Sequence, residues 1–186
     1  MKNLQEERAR TFISIKIPEE AVKEIARVQS LLSRWKFTGK IIELENLHLT
    51  LKFLGEIRGE VIDKVIEKLR MLEFKEFEVK LGEIGIFRYR NRPRIVWVKI
   101  SGTGIFELQR KIDGKIKEFF LLEDRFMSHL TISRVKYVKD NLGFINYIKN
   151  IKVREIKWVV RDFFINKSEL TRMGPKYTNL FRFSAV

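Results

Sequence analysis

The sequence predicts a mixed strand-and-helix domain of two similar lobes sharing a cleft, and three observations lead to that reading. Only two histidines occur in 186 residues, and each opens a His-Leu-Thr-aliphatic run: His48-Leu49-Thr50-Leu51 and His129-Leu130-Thr131-Ile132. Side chains alternate along a strand, so each histidine shares a face with its threonine while the aliphatic pair anchors in a core. The order strand, helix, histidine strand, helix then occurs twice, from residue 11 onward and again from residue 95. A cleft with one histidine on either wall follows.

The elements are predicted in order as follows. Thr11 to Ile17 alternate as a strand ending at Pro18, and Pro18-Glu19-Glu20 opens a helix whose inward stripe is Ala21, Ile25, Val28, Leu31 and Leu32. Lys36 to Lys40 form a basic loop around Gly39 that leads into the first histidine strand, which ends at Gly55. Residues 60–72 carry a helical period, with Val61, Val65, Ile66, Leu69 and Met71 or Leu72 inward. Phe74, Phe77, Val79 and Leu81 suggest a strand broken near Gly82 and Gly85. Arg88, Arg90, Arg92 and Arg94 fall at every second position, which in an extended chain would line one face with guanidinium groups suited to phosphate oxygens. Asn91 and Pro93 argue for a turn within that run, so a solvated basic loop is expected. A strand over 95–100, a helix containing Ile105, Leu108, Ile112 and Ile116, and a loop ending at Met127-Ser128 precede the second histidine strand. A short helix over 141–149, strand-like runs at 151–160 and 161–166, and a strand near 179–184 complete the chain.

Composition bounds the function. The length suits one domain, and 45% hydrophobic residues suffice for a sizeable core. Lys+Arg 38 against Asp+Glu 24 gives a formal charge of +14, which favours polyanionic partners such as nucleic acid. No cysteine is present, which excludes disulfides and thiolate metal sites. Met1 to Arg10 is polar and charged, and no apolar run approaches the ~18 residues of a membrane helix, so a cytoplasmic protein with no membrane partner is expected.

Cleaving a phosphodiester by in-line attack requires a base on the entering oxygen and an acid on the leaving one. Two histidines fill both roles without a metal, and Thr50 and Thr131 supply hydroxyl donors to the non-bridging oxygens. The sequence carries no Gly-x-Ser-x-Gly elbow and no phosphate-binding Gly-x-x-x-x-Gly-Lys-Ser/Thr loop, and Gly102-Thr103-Gly104 reads as a turn with a helix cap.

These residues resemble the 2H phosphoesterase superfamily, and within it the RNA 2',3'-cyclic phosphodiesterases also called 2'-5' RNA ligases. The likeness runs from Arg10-Thr11-Phe12-Ile13-Ser14-Ile15 and Asn46 to Gly55, through Arg94-Ile95-Val96-Trp97-Val98 and His129 to Arg134, to Ser168-Glu169-Leu170 and Gly174-Pro175-Lys176-Tyr177. It implies an α+β, bilobal fold: two pseudo-symmetric antiparallel sheets, outer helices and a central cleft carrying both His-x-Thr motifs, in a single domain over residues 1–186. The implied activity opens RNA 2',3'-cyclic phosphate ends to 2'-phosphates, with joining of tRNA halves through 2'-5' linkages in reverse. The implied enzyme is a monomer that uses no cofactor, and the resemblance leaves open whether ATP or GTP enters the cleft as substrate or regulator.

Carried over by position, His48 resembles the proton donor and His129 the proton acceptor, an order that the sequence alone does not fix. Thr50, Thr131, Arg134 and Phe12 resemble substrate-binding residues, with Phe12 near the cleft able either to stack on a base or to serve as a core residue. Arg134 lies five residues after His129, the wrong parity for a regular strand, so a bulge or strand end is expected there. Ser128 departs from the family, where proline usually precedes the second histidine. Two other readings stand beside this one: a basic RNA-binding module without turnover, and a member of the superfamily acting on a small cyclic nucleotide.

Overall fold

Nine strands and four helices build two sheets with helices packed on them, and apolar residues two apart in the long strands and three to four apart in the helices form the core. The computed structural model describes residues 8–172 and 174–186, so residues 1–7 of the polar amino-terminal stretch lie outside the described residues. The strands are β1 (Arg8–Lys16), β2 (Thr38–Ile41), β3 (His48–Arg58), β4 (Phe77–Tyr89), β5 (Arg92–Ser101), β6 (His129–Tyr137), β7 (Lys157–Val160), β8 (Asp162–Thr171) and β9 (Gly174–Ser184). The helices are α1 (Glu19–Leu32), α2 (Gly59–Arg70), α3 (Thr103–Ile116) and α4 (Asn141–Asn150). One sheet has the order β3-β1-β8-β9 and the other β2-β6-β5-β4-β7, with all pairings antiparallel. The fold is α+β, and the two sheets approach each other along the histidine strands β3 and β6.

The repeated units exchange their first helices. α1 follows β1 in sequence but packs against β6, while α3 follows β5 but reaches β3 as well as β4, sharing the back of β3 with α2. Each histidine strand is therefore backed by a helix of the other unit. The inward stripe of α1 is Ala21, Ile25, Val28 and Leu32, and that of α3 is Ile105, Leu108, Ile112 and Ile116, all fully buried.

Several expectations need correction. Residues 38–41 are not a loop but β2, an edge strand paired with β6, which closes one side of the second sheet. Gly55 does not end β3: the strand continues to Arg58, and Gly55 takes φ +78 where a bulge leaves Leu54 unpaired against β1. β4 is unbroken at Gly82 and Gly85 and absorbs a register shift between Leu81 and Ile84. Residues 151–156 carry no strand, while β8 and β9 run longer than their apolar cores indicate. The turn expected within the arginine-rich run is present, but strands and not a loop flank it: its two residues, Arg90 and Asn91, both have positive φ, the requirement of a tight hairpin turn matching the strand twist.

Gly85 makes close approach possible. A Cβ there would collide with the indole ring of Trp97, its cross-strand neighbour. Gly85→Ala is expected to lower the unfolding free energy by about 1–3 kcal/mol through overpacking, measured by urea denaturation; an unchanged midpoint would show that Trp97 can move aside without loss.

Candidate active site

The histidine strands match in burial residue by residue. From His48 to Glu56 and from His129 to Tyr137 the sequence of part-exposed, buried and exposed positions is the same. Both strands also bulge at the same place. Between the pairs Ser14↔Thr50 and Ile13↔Lys52, Leu51 is left over; between Trp97↔Thr131 and Val96↔Ser133, Ile132 is left over. The extra residue turns two successive side chains into the core and returns the next to the cleft. Arg134 thereby reaches the face of His129 and Thr131, and Phe53 occupies the equivalent position after His48.

Each bulge is held by a buried polar residue on the exchanged helix. Gln29 of α1 donates from Nε2 to the carbonyls of Ile42 and Ile132 at 2.8 and 3.0 Å. On the other side, Asp113 of α3 pairs with Lys52 at 2.5 Å, both side chains being 6% exposed. Asp113 also accepts from Gln109 Nε2 and from the Glu123 backbone N–H, and Lys52 Nζ donates to the Leu121 carbonyl. The residue beside the first bulge thus fixes the loop that leads to the second histidine.

The two imidazoles are anchored alike. His48 Nδ1 lies 2.7 Å from the Asn46 carbonyl, and His129 Nδ1 lies 2.8 Å from the Met127 carbonyl, in each case two residues earlier. A carbonyl only accepts, so both Nδ1 atoms carry the hydrogen, and Nε2 of each ring is left for chemistry. Aromatic rings fix their orientation: Phe12 and Tyr177 lie 4.7 and 5.1 Å from His48, and Phe87 and Trp97 lie 5.0 and 6.5 Å from His129. Burial pushes the His48 pKa below the ordinary histidine value, the Asn46 carbonyl opposes this, and the charges of Arg134 and His129 lower it further. Burial raises the Tyr177 phenol, partly offset by Arg134 and Arg10.

The predicted residues divide clearly. His48, Thr50, His129, Thr131 and Arg134 lie on facing strands, the threonines are partly exposed on the histidine faces, and neither hydroxyl is committed to a protein partner among the described residues. Phe12 does not offer a face to a base but takes the core alternative, 4% exposed behind His48 and 5.0 Å from Tyr177. The open aromatic beside it is Phe53, 68% exposed, which sequence reasoning passed over although its spacing from His48 equals that of Arg134 from His129. Tyr177 was visible only as part of a terminal motif, and the Lys52–Asp113 pair left no signal because partners 61 positions apart carry no periodicity. Ser128 is buried with its hydroxyl unpartnered.

Comparison with known proteins places this geometry. Residues 15–97 match the LigT like Phosphoesterase family. The RNA 2',3'-cyclic phosphodiesterase of Methanocaldococcus jannaschii is 33% identical over 171 residues, covering 90% of this chain and 96% of the relative. The chain belongs to the LigT-like phosphoesterase family. The phosphoesterase superposes on TT0787 of Thermus thermophilus with a TM-score of 0.76 and 26% identity, covering 94% and 97% of the two chains. Escherichia coli LigT complexed with 3'-AMP shares the fold, with a TM-score of 0.71 at 21% identity and coverage of 96% and 98%. Among the described residues no helix of the phosphoesterase is long and apolar enough to cross a membrane.

Two outcomes follow. Lys52→Met leaves Asp113 buried without a counter-charge and is expected to cost about 3–5 kcal/mol, with much of the loss recovered in Lys52→Met/Asp113→Leu; equal losses in the single and double variants would show that packing alone is at stake. Because folded His48 binds a proton less tightly than an unfolded histidine, its contribution to stability is complete above the ordinary value of about 6.5 and is lost as pH falls through the lowered folded value. Urea unfolding at pH 8 and pH 5 should show a smaller acid loss in His48→Gln than in the wild type.

Proposed function

We propose that the protein hydrolyses RNA 2',3'-cyclic phosphate ends to 2'-phosphates without a metal, using His48 as proton donor and His129 as proton acceptor. The observation that carries this reading is the matched pair of histidines on facing strands, each with Nδ1 tied to a carbonyl and Nε2 free. In the reaction, His129 Nε2 takes a proton from water as the water oxygen attacks phosphorus. The bond from phosphorus to O3' breaks opposite the entering oxygen, and His48 Nε2–H returns a proton to O3'. Thr50, Thr131 and Arg134 stabilise the charge on the non-bridging oxygens, while Phe53 offers the exposed ring on which the terminal base stacks. Replacing water by the 5'-hydroxyl of a second RNA strand, with His129 taking its proton and His48 again protonating O3', joins tRNA halves through a 2'-5' linkage. The same cation and hydroxyls accept the phosphate of ATP or GTP as competitors, a reading supported by the nucleotide held in LigT.

Arg134 and burial disfavour the proton on His48 in the free protein. The phosphate of the substrate offsets the guanidinium charge, so substrate binding carries a proton to His48. The test is conversion of a cyclic-ended oligoribonucleotide to its 2'-phosphate in EDTA, abolished in His48→Ala and His129→Ala, with the alkaline limb of kcat/KM at lower pH than that of kcat. Coincident alkaline limbs would assign the proton donor elsewhere, and binding without turnover would leave an RNA-binding module.

A further inference from the structure

The β4–β5 hairpin carries a charged aromatic surface that the reaction at the histidines does not use. The extra residue of its bulge is Arg94, on β5, so β4 alternates without interruption from Gly85 through Phe87 to Tyr89. Phe87 touches His129. Tyr89 therefore shares the cleft face one strand repeat farther out, about 7 Å along, roughly one nucleotide. Arg92 is the cross-strand partner of Tyr89 and shares that face. The Arg90 guanidinium lies 5.3 Å from the Tyr89 ring, and Arg94 Nη1 donates to the Lys136 carbonyl, tying the hairpin to the strand of His129. Tyr89 is 58% exposed, and the residues from Ile86 to Lys99 include no acid. Among the described residues none of Arg88, Arg90, Arg92 or Arg94 pairs with a carboxylate.

We infer that this hairpin docks the single-stranded RNA lying 5' of the reacting end, with Tyr89 stacking a base and the arginines following its phosphates. Solvated arginines alone would be indifferent to their partner. What selects nucleic acid is the exposed phenol among unpaired guanidinium groups, in line with the histidine, because an aromatic face takes any base while cations track the backbone. The inference rests on the proposed reaction for its direction along the strand, and binding tests it separately.

The experiment compares kcat/KM for a cyclic-ended decaribonucleotide and for a mononucleoside 2',3'-cyclic phosphate, together with fluorescence anisotropy of the same oligomer ending in a plain 3'-hydroxyl. Tyr89→Ala is expected to lower kcat/KM for the oligomer by about tenfold or more and to weaken its binding comparably. The mononucleotide reaction should be unchanged, and Tyr89→Phe should behave as wild type. Neutralising Arg90 and Arg92 together should flatten the log–log salt dependence of oligomer binding by about 1.4, at roughly 0.7 per charge. Equal losses on both substrates, or unaltered oligomer binding and salt dependence, would overturn the hairpin assignment. A wild type that turns over neither substrate yet binds the oligomer through Tyr89 would refute the proposed reaction and leave the docking surface standing.

Discussion

The site depends on holding a bulge in place on each of two strands. A bulge interrupts the ladder, so the carbonyl and side chains around it need partners from elsewhere, and the exchanged helices supply them. Gln29 does this neutrally at Ile132, whereas Asp113 does it with a buried ion pair to Lys52. A neutral amide and an ion pair differ in consequence. The amide can be lost for one or two hydrogen bonds, but removing either charge leaves its partner stranded in the core. The ion pair also binds the 121–123 backbone, so the approach to His129 is fixed by a residue four positions after His48.

Much of this was legible in the sequence, and what was hidden has a physical pattern. The helices and histidine strands announce themselves because burial on one face imposes a period, and the parity of Arg134 correctly demanded a bulge. Glycines misled where their role was not to end a strand: Gly55 supplies a positive φ inside β3, and Gly85 makes room for Trp97. The helix exchange left no trace, since an apolar stripe records that a face is buried but not against which sheet. Phe12 was open to two readings for the same reason, and the structure takes the core one, backing a histidine and not facing a base.

Aromatic walls around both imidazoles limit their motion. Phe12 and Tyr177 on one side and Phe87 and Trp97 on the other are unrelated in sequence yet perform the same task. The cross-strand lysines preserve the repeat more faithfully: Lys16 stands opposite His48 and Lys99 opposite His129. The surroundings of His48 and His129 therefore differ while the framework that holds them is alike.

Symmetry is itself an obstacle, because two identical histidines would have no reason to differ in protonation. The equivalent positions five residues on break it, Phe53 standing in one lobe where Arg134 stands in the other. Burial is the main cause that lowers the His48 pKa, and the guanidinium of Arg134 lowers it further across the cleft. In the proposed reaction, a proton that enters with the phosphate is present only when there is a leaving oxygen to receive it. One difference between the matched strands thus brings a cation to the cleft without altering the hydrogen bonds that anchor the two rings.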